Sequence, residues 1–304
     1  MFNKKFFIEN FKTLFYALII AIIIRSLIIQ PFYIPSSSME PGLLVGDRLF
    51  VTKYSYGYSK HSFPFSPPIF KNRIFSIKPQ RGDVIVFKTP ADNRTDYIKR
   101  LIGLPGDRIQ FIDTNLYLNN SEILKSKISE KDPIYCGDKT INVFTFEEKL
   151  PNGKIYKTVY LKNFTFKNSD VFYVPNNHYF FLGDNRDCSK DSRYLTSVGY
   201  VHEDNLVGKA RFIFFSSDRS VGSIFAFWKW NESIRFDRSV QNIFTEVSET
   251  TSYGCPTKYK VIDSSLPLLE TLITKLQENG RIYFQKTYCP WFLREKHPNW
   301  KYYH

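Results

Sequence analysis

The run TLFYALIIAIIIRSLII, from Thr13 to Ile29, constrains this chain more than any other stretch. Its residues, about 17 of them at about 1.5 Å each, reach about 26 Å, near the lower limit for crossing a bilayer as a helix. One charge interrupts it: Arg25, placed near the end, where a long stem brings a guanidinium to the headgroups. Lys4, Lys5 and Lys12 precede the run, so the positive-inside bias puts the N-terminus in the cytoplasm and the remainder outside. A leader removed on export is the rival reading. The polar lead-in is long for that, and QPFYIP stands where a small-x-small cleavage site belongs. No later stretch has the ~18 apolar residues of a second span. The expectation is a single-pass anchor bearing a large outer domain.

A chain of 304 residues, 43% hydrophobic and 17% aromatic, has the material for a packed core, and its Phe and Tyr favour strands. The net charge of +13 implies an acidic partner. Nucleic acid requires a recognition motif, and no zinc-finger spacing, RNP-like run or helix-turn-helix pattern occurs. Beside an anchor, anionic lipid is the better partner. Cys136, Cys188, Cys255 and Cys289 form no CxxC and no Cys/His zinc spacing, so no metal is expected. The sequence does not pair them. Cys188 reads as a core thiol in preference to a disulfide partner.

After the anchor the pattern is that of strands. Arg48–Tyr54, Asp83–Thr89, Asp96–Gly103 and Asp107–Asp113 are short, β-branched and aromatic, with Pro79, Gly82, Pro90, Asp92, Pro105 and Gly106 between them. The fold class expected is mostly β: an N-terminal transmembrane helix, an antiparallel β domain with an inserted β subdomain, and a short helical C-terminal extension. The parse is 1–30 for cytoplasmic N-terminus and anchor, 31–113 with 176–238 for the β core, 114–175 for the insertion and 239–304 for the extension. In the extension, apolar residues at helical spacing between Ser265 and Gly280 predict an amphipathic helix. Two aromatic stretches, His61–Phe75 and Ile224–Trp230, suit either a membrane interface or plain core packing.

Three stretches carry chemistry. In PSSSM a serine becomes a nucleophile only beside a base. The five histidines lie in no site-like context and no GxSxG elbow exists, so a His-based triad is not expected. In DYIKRLIGLPGD, period-2 alternation sets Lys99 on the face of Tyr97 and Leu101, with Ile98 and Arg100 opposite. A lysine facing an apolar interior loses pKa and can act as a base, although from that stretch alone an edge-strand surface charge is the better reading. GDNRDCSKDSR, taken alone, reads as a solvated loop.

Together these stretches resemble type I signal peptidase of the bacterial membrane, a Ser-Lys dyad serine protease of the S26 family. RGDVIVFK, GLPGD and NLVGKA match as well, and the resemblance runs from about Phe11 to Phe236. It implies a hydrolase without cofactor that cuts signal peptides from exported preproteins after small residues of Ala-x-Ala type. It implies Ser38 as nucleophile and Lys99 as general base. Ser36 would supply an oxyanion hydroxyl alongside the Ser38 backbone N–H, and Ser189 would orient the lysine amine. Arg100, Asp184, Asp191 and Arg193 would form structural ion pairs. Phe32, Ile34, Pro35, Leu43, Tyr97 and Ile98 would line the substrate pockets. The implied location is the inner (plasma) membrane, with the catalytic domain on the outer, periplasmic face near the export translocon.

The chain departs from the family pattern at Ser37, where glycine is usual, and beyond about Ser239, where nothing matches. Two rivals remain at this level. A self-cleaving LexA-like Ser-Lys protease shares the dyad but is soluble. An inactive membrane binder of signal peptides or lipids would share the anchor.

Overall fold

The computed structural model describes residues 4–68, 71–136, 139–161, 167–218, 230–238, 241–243, 248–250 and 256–259. The chain forms two units, Met1–Thr245 and Glu246–His304. In the second, Ser248–Thr250 pairs antiparallel with Pro256–Tyr259. The helix expected between Ser265 and Gly280, and the aromatic stretch up to residue 229, lie outside the described residues.

Helix α1 spans Lys4–Ile23 and continues as a π-helical turn, Ile24–Ile28. The segment Glu9–Ile28 has a mean hydropathy of 2.0 and is long and apolar enough to cross a membrane. Leu14, Phe15, Leu18 and Ile20 are all exposed, so apolar side chains surround the helix instead of forming one stripe. That distribution suits lipid.

The apolar run does not stay helical to its end. Ile29 already belongs to strand β1, Ile29–Tyr33, and pairs with Thr52 of β2, Asp47–Thr52. Two contacts fix this switch. Lys53 N donates to Ile28 O at 3.0 Å, and Tyr58 Oη donates to Leu27 O at 2.9 Å. They satisfy carbonyls that a helix end leaves without intrahelical partners.

The remaining strands of the first unit are β3 (Val84–Lys88), β4 (Asp96–Gly103), β5 (Arg108–Ile112), β6 (Asn115–Leu118) and β7 (Ser121–Glu122). Next come β8 (Leu124–Cys136), β9 (Lys139–Lys149), β10 (Ile155–Leu161), β11 (Phe172–Tyr173) and β12 (His178–Leu182). The last are β13 (Val201–His202), β14 (Leu206–Ser216) and β15 (Gln241–Asn242). The main sheet has the order β1-β2-β14-β3-β4-β12-β13, with β15 on β14. A four-stranded sheet, β11-β5-β6-β7, and a three-stranded one, β10-β9-β8, complete the unit. Every strand pair is antiparallel.

Strand β4 explains why the core has several compartments. Ile98 packs with Ile34, Met39, Leu43 and Val84, while Tyr97 and Leu101 pack with Phe87 and Phe181. Alternation along one strand thus feeds two apolar clusters. Full burial of each such side chain stabilises the fold by about 1.5–3 kcal/mol.

Candidate active site

Ser38 lies in a 3-10 turn, Ser37–Met39, entered just after β1. Ile34 N donates to Asp47 O at 2.9 Å, and Gly46 N returns a bond to Ile34 O at 3.0 Å. Leu44 N donates to Asp47 Oδ2 at 2.8 Å. These bonds close the loop carrying the serines onto the start of β2. Met39 and Leu43 are buried in the core and fix the loop from beneath. Ser37 takes a right-handed turn conformation, not a left-handed one, so serine meets no backbone penalty where glycine is the family habit.

Lys99 sits in the middle of β4, paired with Ile85 of β3. Its ammonium group lies beside the Tyr97 ring, 5.6 Å from the centroid. Its Nζ is hydrogen-bonded to Ser38 Oγ. Lys99 is 4% exposed. Burial lowers its pKa to about 8, against an upward pull from Asp191 and Asp184. At pH 7 roughly one such lysine in ten is neutral, against roughly one in 2500 at the ordinary value. A neutral amine in contact with a hydroxyl can take its proton.

The Gly183–Arg193 loop surrounds this pair. Arg100 Nε and Nη2 each donate to Asp184 at 2.7 Å, a two-pronged pair. Arg193 Nε and Nη2 donate to Asp191 at 2.8 and 2.9 Å, and Gly183 N donates to the same carboxylate at 2.9 Å. Arg193 and Gly183 overcome burial and hold the Asp191 carboxyl below its usual range. Ser36 Oγ lies 3.4 Å from Ser38 Oγ. Ser189 is buried in the same loop, and its Oγ has no hydrogen-bond partner among the described residues. Gly183 has a steric reason to be glycine: a Cβ there would sit 2.1 Å from Ser189 Oγ and 2.6 Å from Ser38 O.

The six pocket candidates divide. Phe32, Ile34, Leu43 and Ile98 meet in one apolar cluster next to the serine turn. Tyr97 belongs to the cluster on the opposite face of β4, although it shares Lys99's side. Pro35 is exposed.

One expectation is overturned. Cys188 is not a core thiol; it forms a disulfide with Cys136, 52 residues earlier. Spacing alone gave no pairing, because the hairpin β8–β9 has to fold back before the two sulfurs meet.

The structure adds residues that sequence reasoning passed over. Asn185 N donates to Ser38 O at 3.2 Å, and its Nδ2 donates to Ser37 O at 3.1 Å. It holds the backbone of the serine turn from the facing loop. Arg186 forms a buried pair with Glu148 of β9, at 2.5 and 2.8 Å. Tyr156 and Tyr160 both donate to that carboxylate. Val159 N donates to Asp184 O at 3.0 Å, and Arg186 N donates to Val159 O at 3.0 Å. The three-stranded sheet therefore grips the loop by backbone, ion pair and disulfide. Asn185 and Arg186 stood within a stretch already singled out; Glu148, in a polar run, carried no signal.

The chemistry this arrangement defines is that of a serine hydroxyl and a desolvated lysine on an antiparallel β frame. A family model described as "Signal peptidase, peptidase S26" matches residues 7–215. Signal peptidase I of Rickettsia typhi is 42% identical over 253 residues, covering 78% of this chain and 94% of that one. Signal peptidase I of Rickettsia bellii is 43% identical over 260 residues, covering 80% and 88%. A crystal structure of a signal peptidase I from Enterococcus faecalis V583 is 30% identical, covers 44% of this chain and 97% of its own, and has a TM-score of 0.27. The chain belongs to the S26 family of signal peptidases. It is a peptidase of that family with an N-terminal helix long and apolar enough to cross a membrane.

Proposed function

We propose that this protein cuts signal peptides from exported preproteins with Ser38 as nucleophile and Lys99 as general base. The observation that carries the reading is the buried contact between Lys99 Nζ and Ser38 Oγ, in a setting that lowers the lysine's pKa to about 8. Ser38 Oγ attacks the carbonyl carbon before the scissile bond as Lys99 takes the hydroxyl proton. The oxyanion is met by the Ser36 hydroxyl and the Ser38 backbone N–H, a contribution of about 3–4 kcal/mol per donor in acyl-transfer sites. Lys99 then passes its proton to the leaving amine. A water, deprotonated by the same lysine, releases the acyl group. Ser189, buried with an uncommitted hydroxyl, orients the amine between steps.

Asp184, Asp191, Arg100 and Arg193 neutralise one another, so none competes to hold Lys99 as a permanent ion-pair partner. The apolar cluster of Phe32, Ile34, Leu43 and Ile98, next to the serine turn, lines the pockets for small residues before the cut. The N-terminus is cytoplasmic and the β domain works at the outer face of the bacterial plasma membrane, near the export translocon and against anionic lipid. The nucleophile follows the anchor by few residues because the scissile bond emerges there. Cleavage of a preprotein with an Ala-x-Ala site tests this. Wild type cuts, and Ser38→Ala and Lys99→Met each fall by about 10⁴-fold or more. Cutting by Ser38→Ala at the wild-type rate would overturn the assignment.

A further inference from the structure

A cavity of about 450 Å³ lies where the anchor meets the β domain; neither Ser38 nor Lys99 lines it, and of the substrate-pocket candidates only Phe32 does. Its size falls within the ~300–1,000 Å³ common for small-ligand sites. Arg25, Lys53, Lys88 and Arg94 line it. Among the described lining residues Asp96 alone is acidic, and Lys88 takes it at 2.9 Å. The other three cations have no carboxylate within ion-pair distance among the described residues. Lys53 is 2% exposed, and its Nζ has only the Ser62 carbonyl, at 3.4 Å. Burial lowers its pKa to about 8, and neighbouring Lys88 and Arg25 push the same way against Asp96.

Two further lining side chains are buried with donors to spare. Ser26 Oγ and His61 Nε2 have no hydrogen-bond partner among the described residues. The His61 ring is neutral near pH 7, since burial lowers its pKa to about 4. His61 Nδ1 and the Ser66 hydroxyl lie 2.9 Å apart, and in the tautomer in which the hydroxyl donates, Nε2 carries the ring N–H. Water can satisfy a hydroxyl and an imidazole, but it leaves the buried Lys53 amine, with the exposed Arg25 and Arg94 at the cavity mouth, without a counter-charge. An acceptor-only anion satisfies both.

The position of the cavity identifies the anion. Arg25 and Ser26 belong to the last turn of the membrane-spanning segment Glu9–Ile28. Phe65, on the rim, is fully exposed, as an interfacial aromatic would be. We propose that this cavity is a binding site for the phosphate of an anionic phospholipid headgroup, held by Lys53, Arg25 and Arg94 with Ser26 and His61 as neutral donors. The site ties the end of the anchor and the 61–66 loop to the bilayer surface. The inference rests on the anchoring of α1 in a bilayer and is independent of the Ser38–Lys99 chemistry.

The test uses the full chain reconstituted in mixed phosphatidylcholine and phosphatidylglycerol vesicles, extracted in detergent and weighed by native mass spectrometry. Flotation with phosphatidylcholine vesicles reads anchoring by itself, so failure of the anchor is distinguishable from failure of the site. The expected result is one retained phosphatidylglycerol per chain, preferred over phosphatidylcholine and not displaced by excess inorganic phosphate. Arg94→Gln, an exposed and foldable change, lowers retention about fivefold, and Lys53→Met lowers it by more than about tenfold. Equal retention of the two lipids, or retention unchanged in Arg94→Gln with folding intact, would overturn the proposal. Binding of inorganic phosphate with ready displacement of the lipid would overturn the lipid assignment and leave a site for free phosphate.

Discussion

Lys99 and Lys53 make an instructive pair. Both are buried, both have a pKa lowered to about 8, and in both desolvation is the largest cause. Their surroundings differ. Lys99 touches a serine hydroxyl, and the charges around it are already paired with one another: Arg100 with Asp184, Arg193 with Asp191. Lys53 touches a carbonyl, and the charges near it are mostly of its own sign. A lowered lysine pKa is therefore no signature of catalysis by itself. Beside a hydroxyl in a neutralised frame it suits the proposed base; among other cations in a cavity it suits the proposed anion site.

The largest effect that sharpens the contrast is on cleavage. Lys99→Met removes the base and drops kcat/KM by about 10⁴-fold or more, while phosphatidylglycerol retention stays at the wild-type level. Loss of both properties together would merge the two sites into one. Next comes Ser189→Ala. If its hydroxyl orients the Lys99 amine, kcat falls by about 10²-fold with little change in KM, and Ser189→Thr restores part of the rate. A purely structural serine would give a stability change without that split.

The pH profile follows from the direction of the shift. On the proposed mechanism Lys99 is neutral when it acts, so kcat/KM is expected to rise about tenfold per pH unit below about pH 8 and to level off above it. A flat profile down to about pH 6 would remove the lysine from the reaction. The smallest expected effect concerns the frame. Reducing the Cys136–Cys188 bridge releases a loop with a sequence separation of 52 and costs about 2–4 kcal/mol of stability. Chemical denaturation with and without reductant reads this as a lower midpoint at constant slope.

Much of this was legible in the sequence, for definite reasons. Asp96–Gly103 is short, apolar and bounded by turn residues, so β4 followed from the sequence, and period two set Lys99 on the side of Tyr97. The anchor followed from apolar length. Where that run stops being helical did not, because hydropathy does not distinguish a π turn from a strand; Tyr58 and Lys53 decide it from elsewhere in the chain. The Glu148–Arg186 pair and the disulfide escaped for the same reason. Each joins a polar insertion to a distant loop, and neither partner carries a local pattern. The basic cavity is likewise assembled from five separate segments, so net charge indicated an acidic partner without indicating a place.

The most direct measurement of the central claim is to locate an acyl group. The full chain is treated with an acylating serine inhibitor at about pH 7 and about pH 9, digested, and the adduct is placed by fragment masses. The account predicts a single adduct on Ser38, formed faster at the higher pH and absent from Lys99→Met. An adduct on Ser36 or Ser37, or equal labelling of Ser38 in Lys99→Met, would contradict it.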